Sequence, residues 1–209
     1  RETPPENERV CQEVCFGELP QRLKFDVDAT SELLDSIPEE AFVRLMPGRA
    51  LATKAANGPD VHAQRLRKAE MALVYLASLI VDVFEMRYSK TQHRIVPEDL
   101  LVMSSLDASP ARREKYSYHI LVMPVAVANN REAKDFTAQV FAEMREEAPE
   151  LAMLLDPNVN SSTQCFRLPG SQKVGSGRTK IVDAALNKRI GTCAREVELA
   201  DALVQMPVL

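Results

Sequence analysis

Leu23-Lys24-Phe25-Asp26-Val27-Asp28 is an apolar run that ends in two carboxylates one residue apart. Side chains alternate along an extended strand, so Phe25 and Val27 face a core while Asp26 and Asp28 project together to the other side. Two like charges so close repel one another, and folding accommodates them in water or around a cation that neutralises both. Oxygen donors in such a pair suit Mg²⁺ or Mn²⁺, whereas a solvated turn or a helix cap is the other reading of Asp-x-Asp at a strand end. Which reading holds depends on what the rest of the chain brings to the same face.

Outward from that strand, the chain alternates helical and extended patterns. Residues 1–9 are Pro- and Glu-rich and read as a loose leader, and 10–16 as a strand or turn before Gly17 and Pro20. After the strand, Thr30 or Ser31 is placed to cap a helical turn, and Pro38-Glu39-Glu40 opens a second helix with its carboxylates at the positive end of the dipole. Residues 46–60 read as a partly basic loop. The longest helix is expected over 61–86, where Leu66, Ala69, Leu73, Leu76, Ile80 and Val83 recur at steps of three and four and Arg65, Arg67, Lys68 and Glu70 form the polar side.

Residues 100–105 and 116–123 read as two strands joined by a polar loop over 107–114, hence as an antiparallel pair. Asn130 is expected to cap a helix over 131–146 that buries Phe136, Val140, Phe141 and Met144. Short strands follow at 165–168 and 179–182, separated by a Gly-rich basic loop over 169–178, and the tail over 196–205 reads as a helix. Strands that are paired through loops and also separated by helices indicate an α+β domain with a mixed or antiparallel sheet.

The totals narrow the function classes. A chain of 209 residues with 45% apolar and 27% charged residues has the makings of an ordinary globular core. No stretch is apolar for the length of a membrane span; the longest, 71–84, is broken by Asp82, so no membrane partner is expected. Lys and Arg total 26 against 30 Asp and Glu, for a net charge of −4, which excludes a generally basic nucleic-acid coat. Any polyanion must be met by a local cluster or through metal ions. Cys11, Cys15, Cys165 and Cys193 are scattered without a zinc-like quartet, so reduced, intracellular thiols are expected. The sequence begins at Arg1 without a Met, and a fragment or processed form is the expectation.

Two further groups carry chemistry. Ser117 and His119 repeat the Asp26/Asp28 geometry, one residue apart on a strand with Tyr118 and Ile120 turned away. Side by side they suit an anion better than a nucleophile and its base, because both point outward in parallel. A histidine simply satisfied within a sheet is the alternative. Asp156 is followed by Phe166-Arg167-Leu168 and by Ser171-x-Lys173. Arg167 projects away from its two apolar neighbours, and Lys173 sits on a Gly-flanked loop that can close over a ligand. Arg with Lys is the usual answer to a triphosphate, and a solvated basic loop is the plainer reading.

Asp-x-Asp after an apolar strand, Ser-x-His within Lys115-Tyr116-Ser117-Tyr118-His119-Ile120, and Asp156 with Phe-Arg-Leu and Ser-x-Lys come in the order and approximate spacing of three motifs. Together they resemble the archaeo-eukaryotic primase superfamily, and within it the primase-polymerase branch of eukaryotic PrimPol enzymes and the primase domains of large DNA viruses. The resemblance covers roughly residues 20–182. It implies an α+β catalytic core with a sheet like that of an RNA-recognition motif, packed with helices and with a smaller N-terminal α/β module. Residues 1–19 would then be a leader and first packing segment, 20–182 the core and 183–209 a C-terminal helical tail.

By the same resemblance Asp26, Asp28 and Asp156 would bind the two divalent metals, Mg²⁺ or Mn²⁺. Ser117, His119, Lys115, Arg167, Ser171 and Lys173 would contact the incoming nucleotide, with His119 also among the catalytic residues. The implied activity is template-directed nucleotidyl transfer: primer synthesis or extension in DNA replication or damage tolerance. Its implied partners are single-stranded DNA template, a primer 3′ end and NTP or dNTP, with a replicative helicase or single-strand binding protein as a possible neighbour. The implied place is a site of DNA replication, nuclear, mitochondrial or viral.

Asn160, Ser162 and Gln164 stand where relatives commonly carry Tyr and Arg, and the zinc module that often follows the core is absent from these residues. Priming is therefore less secure an expectation than extension. A catalytically weak module that binds single strands or docks a helicase is the alternative. A metal nuclease on the same carboxylates is a third, which explains Arg167 and Lys173 less well.

Overall fold

In the computed structural model, which describes residues 11–45, 60–106, 114–172 and 178–205, the strand holding Asp26 is β2 (Gln21–Thr30). It lies at one edge of a four-stranded sheet with β4 (Lys115–Val127), β3 (Leu100–Ser104) and β6 (Ile181–Val182), in the order β2-β4-β3-β6. Every pairing is antiparallel. The first strand among the described residues lies outside this sheet. Strand β1 (Gln12–Phe16) pairs antiparallel with β5 (Thr163–Arg167) as a separate two-stranded ribbon.

The period of two along β2 sorts the layers. Leu23, Phe25, Val27 and Ala29 enter the main core with Tyr116, Tyr118, Ile120 and Val122 of β4. That core is closed by α3 (Val61–Arg87) and α4 (Asn130–Glu147), joined by α1 (Ser31–Ser36), α2 (Glu39–Leu45), α5 (Pro149–Ala152) and α6 (Ala184–Ile190). On the opposite face Leu101, Met103, Leu121 and Met123 meet Cys15 and Phe166 of the ribbon in a second, smaller core. The fold is α+β, with helices on one side of an antiparallel sheet and a ribbon on the other.

Local chemistry explains most of the boundaries. Thr30 caps α1 by accepting the Leu33 N–H at 3.2 Å, and α3 starts where Asp60 accepts the His62 N–H at 3.0 Å. Helix α4 begins one residue before its sequence expectation, with Asn129 rather than Asn130 as cap; its Oδ1 takes the N–H groups of Arg131 and Glu132. Glu70, expected on the polar side of α3, is buried and paired with Arg189 of α6 at 2.6 Å.

The helix expected over 196–205 is only a 3-10 turn, Leu199–Ala202. Its backbone is spent elsewhere. The Arg22 guanidinium takes the carbonyls of Ala200, Asp201 and Leu203, and Glu13 takes the N–H groups of Val204 and Gln205. The leader expected at 1–9, residues 46–59 and 107–113 of two expected loops, and 173–177 of a third, Lys173 included, lie outside the described residues. Among the described residues no helix is long and apolar enough to cross a membrane.

Candidate active site

The β2–β4 register sets Asp26 opposite His119, Asp28 opposite Ser117 and Thr30 opposite Lys115. Partners in an antiparallel ladder project to the same side, so two motifs distant in sequence share one patch. Asp156 is brought to its edge by backbone pairing. Its N–H donates to the Asp26 carbonyl at 3.0 Å, while the Asp28 N–H donates to the Leu154 carbonyl at 2.8 Å. The ribbon supplies the facing wall with Gln164, Cys165, Phe166 and Arg167, and the space between is a cleft of about 220 Å³. Lys115, Ser117, His119, Asp26 and Asp28 line it, along with Gln12, Val159 and Arg178.

Charge in this cleft is unevenly satisfied. Lys115 Nζ lies 2.6 Å from Asp28 Oδ2, but the second oxygens, Asp26 Oδ1 and Asp28 Oδ1, are buried and accept no hydrogen bond. Burial, followed by the negative charge of Asp28, pushes the Asp26 carboxyl up to about 6, against the pull of Lys180. Leaving buried carboxylate oxygens without a donor is costly unless something else occupies their lone pairs. Hard oxygen ligands of this kind fit Mg²⁺ or Mn²⁺.

Asp156 is less committed. Its Oδ1 accepts the Asn158 N–H at 2.9 Å in a local turn, and its side chain does not line the cleft. Among the described residues no group of three His, Cys, Asp or Glu side chains converges tightly enough to hold a metal ion. Two carboxylates are thus assembled on the sheet, with the third delivered beside them by its main chain.

His119 is 5% exposed, with its ring tilted against Phe166 at 4.2 Å between centroids. Burial, with the positive charges of Lys180 and Arg167, holds the imidazole well below its ordinary pKa. It is therefore a neutral ring at pH 7, able to donate one N–H. Its Nε2 is 3.8 Å from Asp26 Oδ1, too far for a hydrogen bond, and its Nδ1 has no partner. Arg167 Nη1 donates to Ser105 Oγ at 3.2 Å, which fixes the guanidinium over the sheet. Ser171 is buried, with its Oγ unpartnered.

Two contributors, Lys180 and Ser105, were not singled out by sequence, and Asn160 was singled out only as a departure from a pattern. Lys180 is fully buried; its charge acts on Asp26 and His119, and the charge of Arg167 acts on it. The one signal for it was alternation, since Lys180 lies two residues before Val182 in Thr179-Lys180-Ile181-Val182. Asn160, which departs from the pattern of the resembled family, is a structural residue. Its Oδ1 takes the Lys24 ammonium at 3.0 Å and its Nδ2 reaches Thr137 Oγ1 at 2.7 Å, tying the loop after Asp156 to β2 and α4. Ser105, which orients Arg167, carried no motif.

No protein-family model matches the chain. Among curated proteins it is similar to the "Putative helicase/primase complex protein" of African swine fever virus. It is 30% identical to that of isolate Pig/Kenya/KEN-50/1950 over 204 residues, which is 97% of this chain and 17% of the relative. To that of strain Badajoz 1971 Vero-adapted it is 31% identical over 204 residues, 97% of this chain and 18% of the relative. The chain spans less than a fifth of the length of these curated relatives. It is thus similar, along nearly all of its own length, to one segment of a viral protein named for a helicase/primase complex.

Proposed function

We propose that this chain is the nucleotidyl-transfer core of a primase-polymerase of the archaeo-eukaryotic primase superfamily, acting in viral DNA replication beside a helicase. The observation that carries this reading is the pair of buried, unpartnered carboxylate oxygens on Asp26 and Asp28, set directly across the ladder from His119 and Ser117. A closed structural site would have filled those lone pairs. The similarity to helicase/primase complex proteins over nearly the whole chain supports the same reading.

Asp26 and Asp28, joined by Asp156, are the residues that would hold the divalent ions. When bound, such ions acidify an attacking 3′-hydroxyl and neutralise a leaving pyrophosphate. The residues themselves do the positioning. Ser117 and neutral His119 donate hydrogen bonds to phosphate oxygens, and Arg167, held over the sheet by Ser105, meets them as a planar fork. Lys115 screens Asp28 at 2.6 Å, and would be free to meet the phosphates where a cation held by that carboxylate took its place. Lys173 belongs to the same set by its motif. An acidic chain of net charge −4 can hold an anionic substrate this way, because the attraction is local. Template strand would be gripped through its backbone, with affinity that falls as salt rises.

The test is extension of a primed single-stranded template with Mg²⁺ or Mn²⁺, using both NTP and dNTP. Asp26→Asn and Asp156→Asn should each lower the rate by on the order of 10²-fold or more, the loss expected when several kcal/mol of transition-state stabilisation disappears. Unchanged extension in either variant refutes the assignment of that carboxylate. The second reading, a module that binds single strands or docks a helicase without turnover, draws on the Asp156 side chain, which accepts from Asn158 in a local turn and does not line the cleft. It predicts strand binding with no incorporation by the wild type under any metal.

A further inference from the structure

We propose that Lys180, together with Ser171, is the inner anion contact of the cleft and takes phosphate oxygens of an incoming nucleoside triphosphate. The assignment rests on the nucleotidyl-transfer reading for its choice of ligand, but on independent geometry for the contact itself.

Strand β6 pairs Val182 with Met103, which in turn pairs with His119. Lys180 precedes Val182 by two residues and so shares the sheet face of His119 and Asp26. Its main chain is pinned on both sides. The N–H donates to Ser171 at 2.8 Å and the carbonyl accepts from Gly170 at 2.7 Å. The side chain, by contrast, is 0% exposed and its Nζ has no partner, while Ser171 beside it is also buried with an idle Oγ. Two residues joined through their main chains thus each bury a side-chain polar group without a partner.

The same molecule shows what a structural lysine looks like here. Lys24 is equally buried, on the same side of β2 as Asp26, and its ammonium is met by Gln21 Oε1 at 2.8 Å and Asn160 Oδ1 at 3.0 Å. Lys180 has no such provision. Neither Asp26 nor Asp28 is hydrogen-bonded to it, although each leaves one buried oxygen open. An unpaired buried ammonium is an expense that folding alone does not explain. Burial and the nearby Arg167 charge draw its pKa down to about 7, so an arriving anion strengthens its hold on the proton. Lys180 and Ser171 lie behind the cleft lining rather than in it, and a polyphosphate bound at Arg167 would offer both the acceptor they lack. A four-carbon stem lets the ammonium move to meet it.

The experiment compares wild type with Lys180→Met and Lys180→Arg, and with Lys180→Gln should the Met variant fail to fold. Three readouts are taken on the whole chain: affinity for inorganic pyrophosphate with Mg²⁺ by calorimetry, affinity for an unprimed single-stranded oligonucleotide, and the KM for nucleotide in primer extension. Removing the charge should weaken pyrophosphate binding and raise KM by about tenfold, the loss of one charge-assisted hydrogen bond. Oligonucleotide affinity should stay within about twofold. The Arg variant should retain most of the pyrophosphate affinity. The free protein should melt higher in Lys180→Met, because an unpaired buried charge has gone, whereas a merely structural lysine predicts a lower melting point.

Pyrophosphate affinity that does not change, or a loss confined to the oligonucleotide, overturns the assignment. So does a wild type that binds no pyrophosphate. A wild type that binds pyrophosphate through Lys180 yet incorporates no nucleotide overturns the polymerase reading alone. Normal extension with an unaltered KM in Lys180→Met overturns this one alone.

Discussion

Asp26 concentrates the conflict between folding and chemistry. Its carboxyl sits at about 6, well above the ordinary 3.8, because burial and Asp28 both disfavour its charge. A raised carboxyl pKa means that the folded protein binds the proton more tightly than the unfolded chain does. The stabilisation is therefore complete below about pH 4, declines as pH rises, and is gone above about pH 6. Two pKa units amount to at most about 3 kcal/mol, less what solvent screening of a partly exposed side chain removes. Asp26→Asn should cancel that slope and raise the melting temperature of the metal-free protein at pH 7 to 8 by several degrees, while abolishing extension. Melting curves of both proteins from about pH 4 to about pH 8, in chelator, give the difference, which isolates Asp26 from the groups around it: Asp28, Lys115, His119, Arg167 and Lys180. A difference that is flat with pH, or that favours the wild type above pH 6, would show that Asp26 is not under this strain. That Asp26 and Asp28 share a face, and Ser117 and His119 likewise, was legible from alternation alone. That Asp26 faces His119 was not, because register depends on the connecting segments and on the irregularity between Arg22 and Lys24. The neutrality of His119 was also hidden, since it arises first from burial against Phe166 and then from Lys180 and Arg167, all of them far away in sequence.

Strand β3 shows how an element is finished by groups outside the sheet. Its outer edge pairs with β6 only at Met103 and Ser104. One residue further, α6 provides the substitute. Asn187, fully buried, accepts the Val102 N–H through Oδ1 at 3.0 Å and donates to the Val102 carbonyl through Nδ2 at 2.8 Å, reproducing a strand's pair of bonds with one side chain. The Cys193 N–H does the same for the Leu100 carbonyl at 2.9 Å. Asn187→Leu should destabilise the protein by about 2–4 kcal/mol, because it strands a buried donor and acceptor together. Urea unfolding measures the loss, and amide exchange should show it concentrated at Val102. An uncoupled change, with normal protection at Val102, would mean that the edge is covered some other way. Long periodic elements such as α3 were readable because packing and pattern agree along many turns. The helix expected over 196–205 was not, because nothing local reveals that Arg22 and Glu13, almost the whole chain away, claim its carbonyls and amides.

On the scale of the molecule, the cleft exists because the ribbon is held off the sheet by the second core. That core contains Cys15 and Phe166 from the ribbon, Leu121 and Met123 from β4, and Ala202 and Val204 from the C-terminal segment. The C-terminal segment is thus a clasp: Glu13 of β1 and Arg22 of β2 both bond to its backbone. The four thiols report on its closure. Cys11 and Cys165 are exposed, while Cys15 and Cys193 are buried, and burial with the Glu13 charge pushes the Cys15 thiol up to about 11. A disulfide reagent at neutral pH should therefore modify Cys11 and Cys165 quickly and the other two slowly. Cys165 lines the cleft, so nucleotide with Mg²⁺ should protect it and leave Cys11 unaffected. Ending the chain at Glu198 removes the acceptors of Arg22, which costs on the order of 3 kcal/mol for an unpaired buried cation, and uncovers Cys15. The shortened protein should then show a fast third thiol, and a raised KM for nucleotide because Arg167 rides on the loosened ribbon. A truncated chain whose Cys15 stays slow and whose KM is unaltered would show that the ribbon holds its place on the sheet without the clasp.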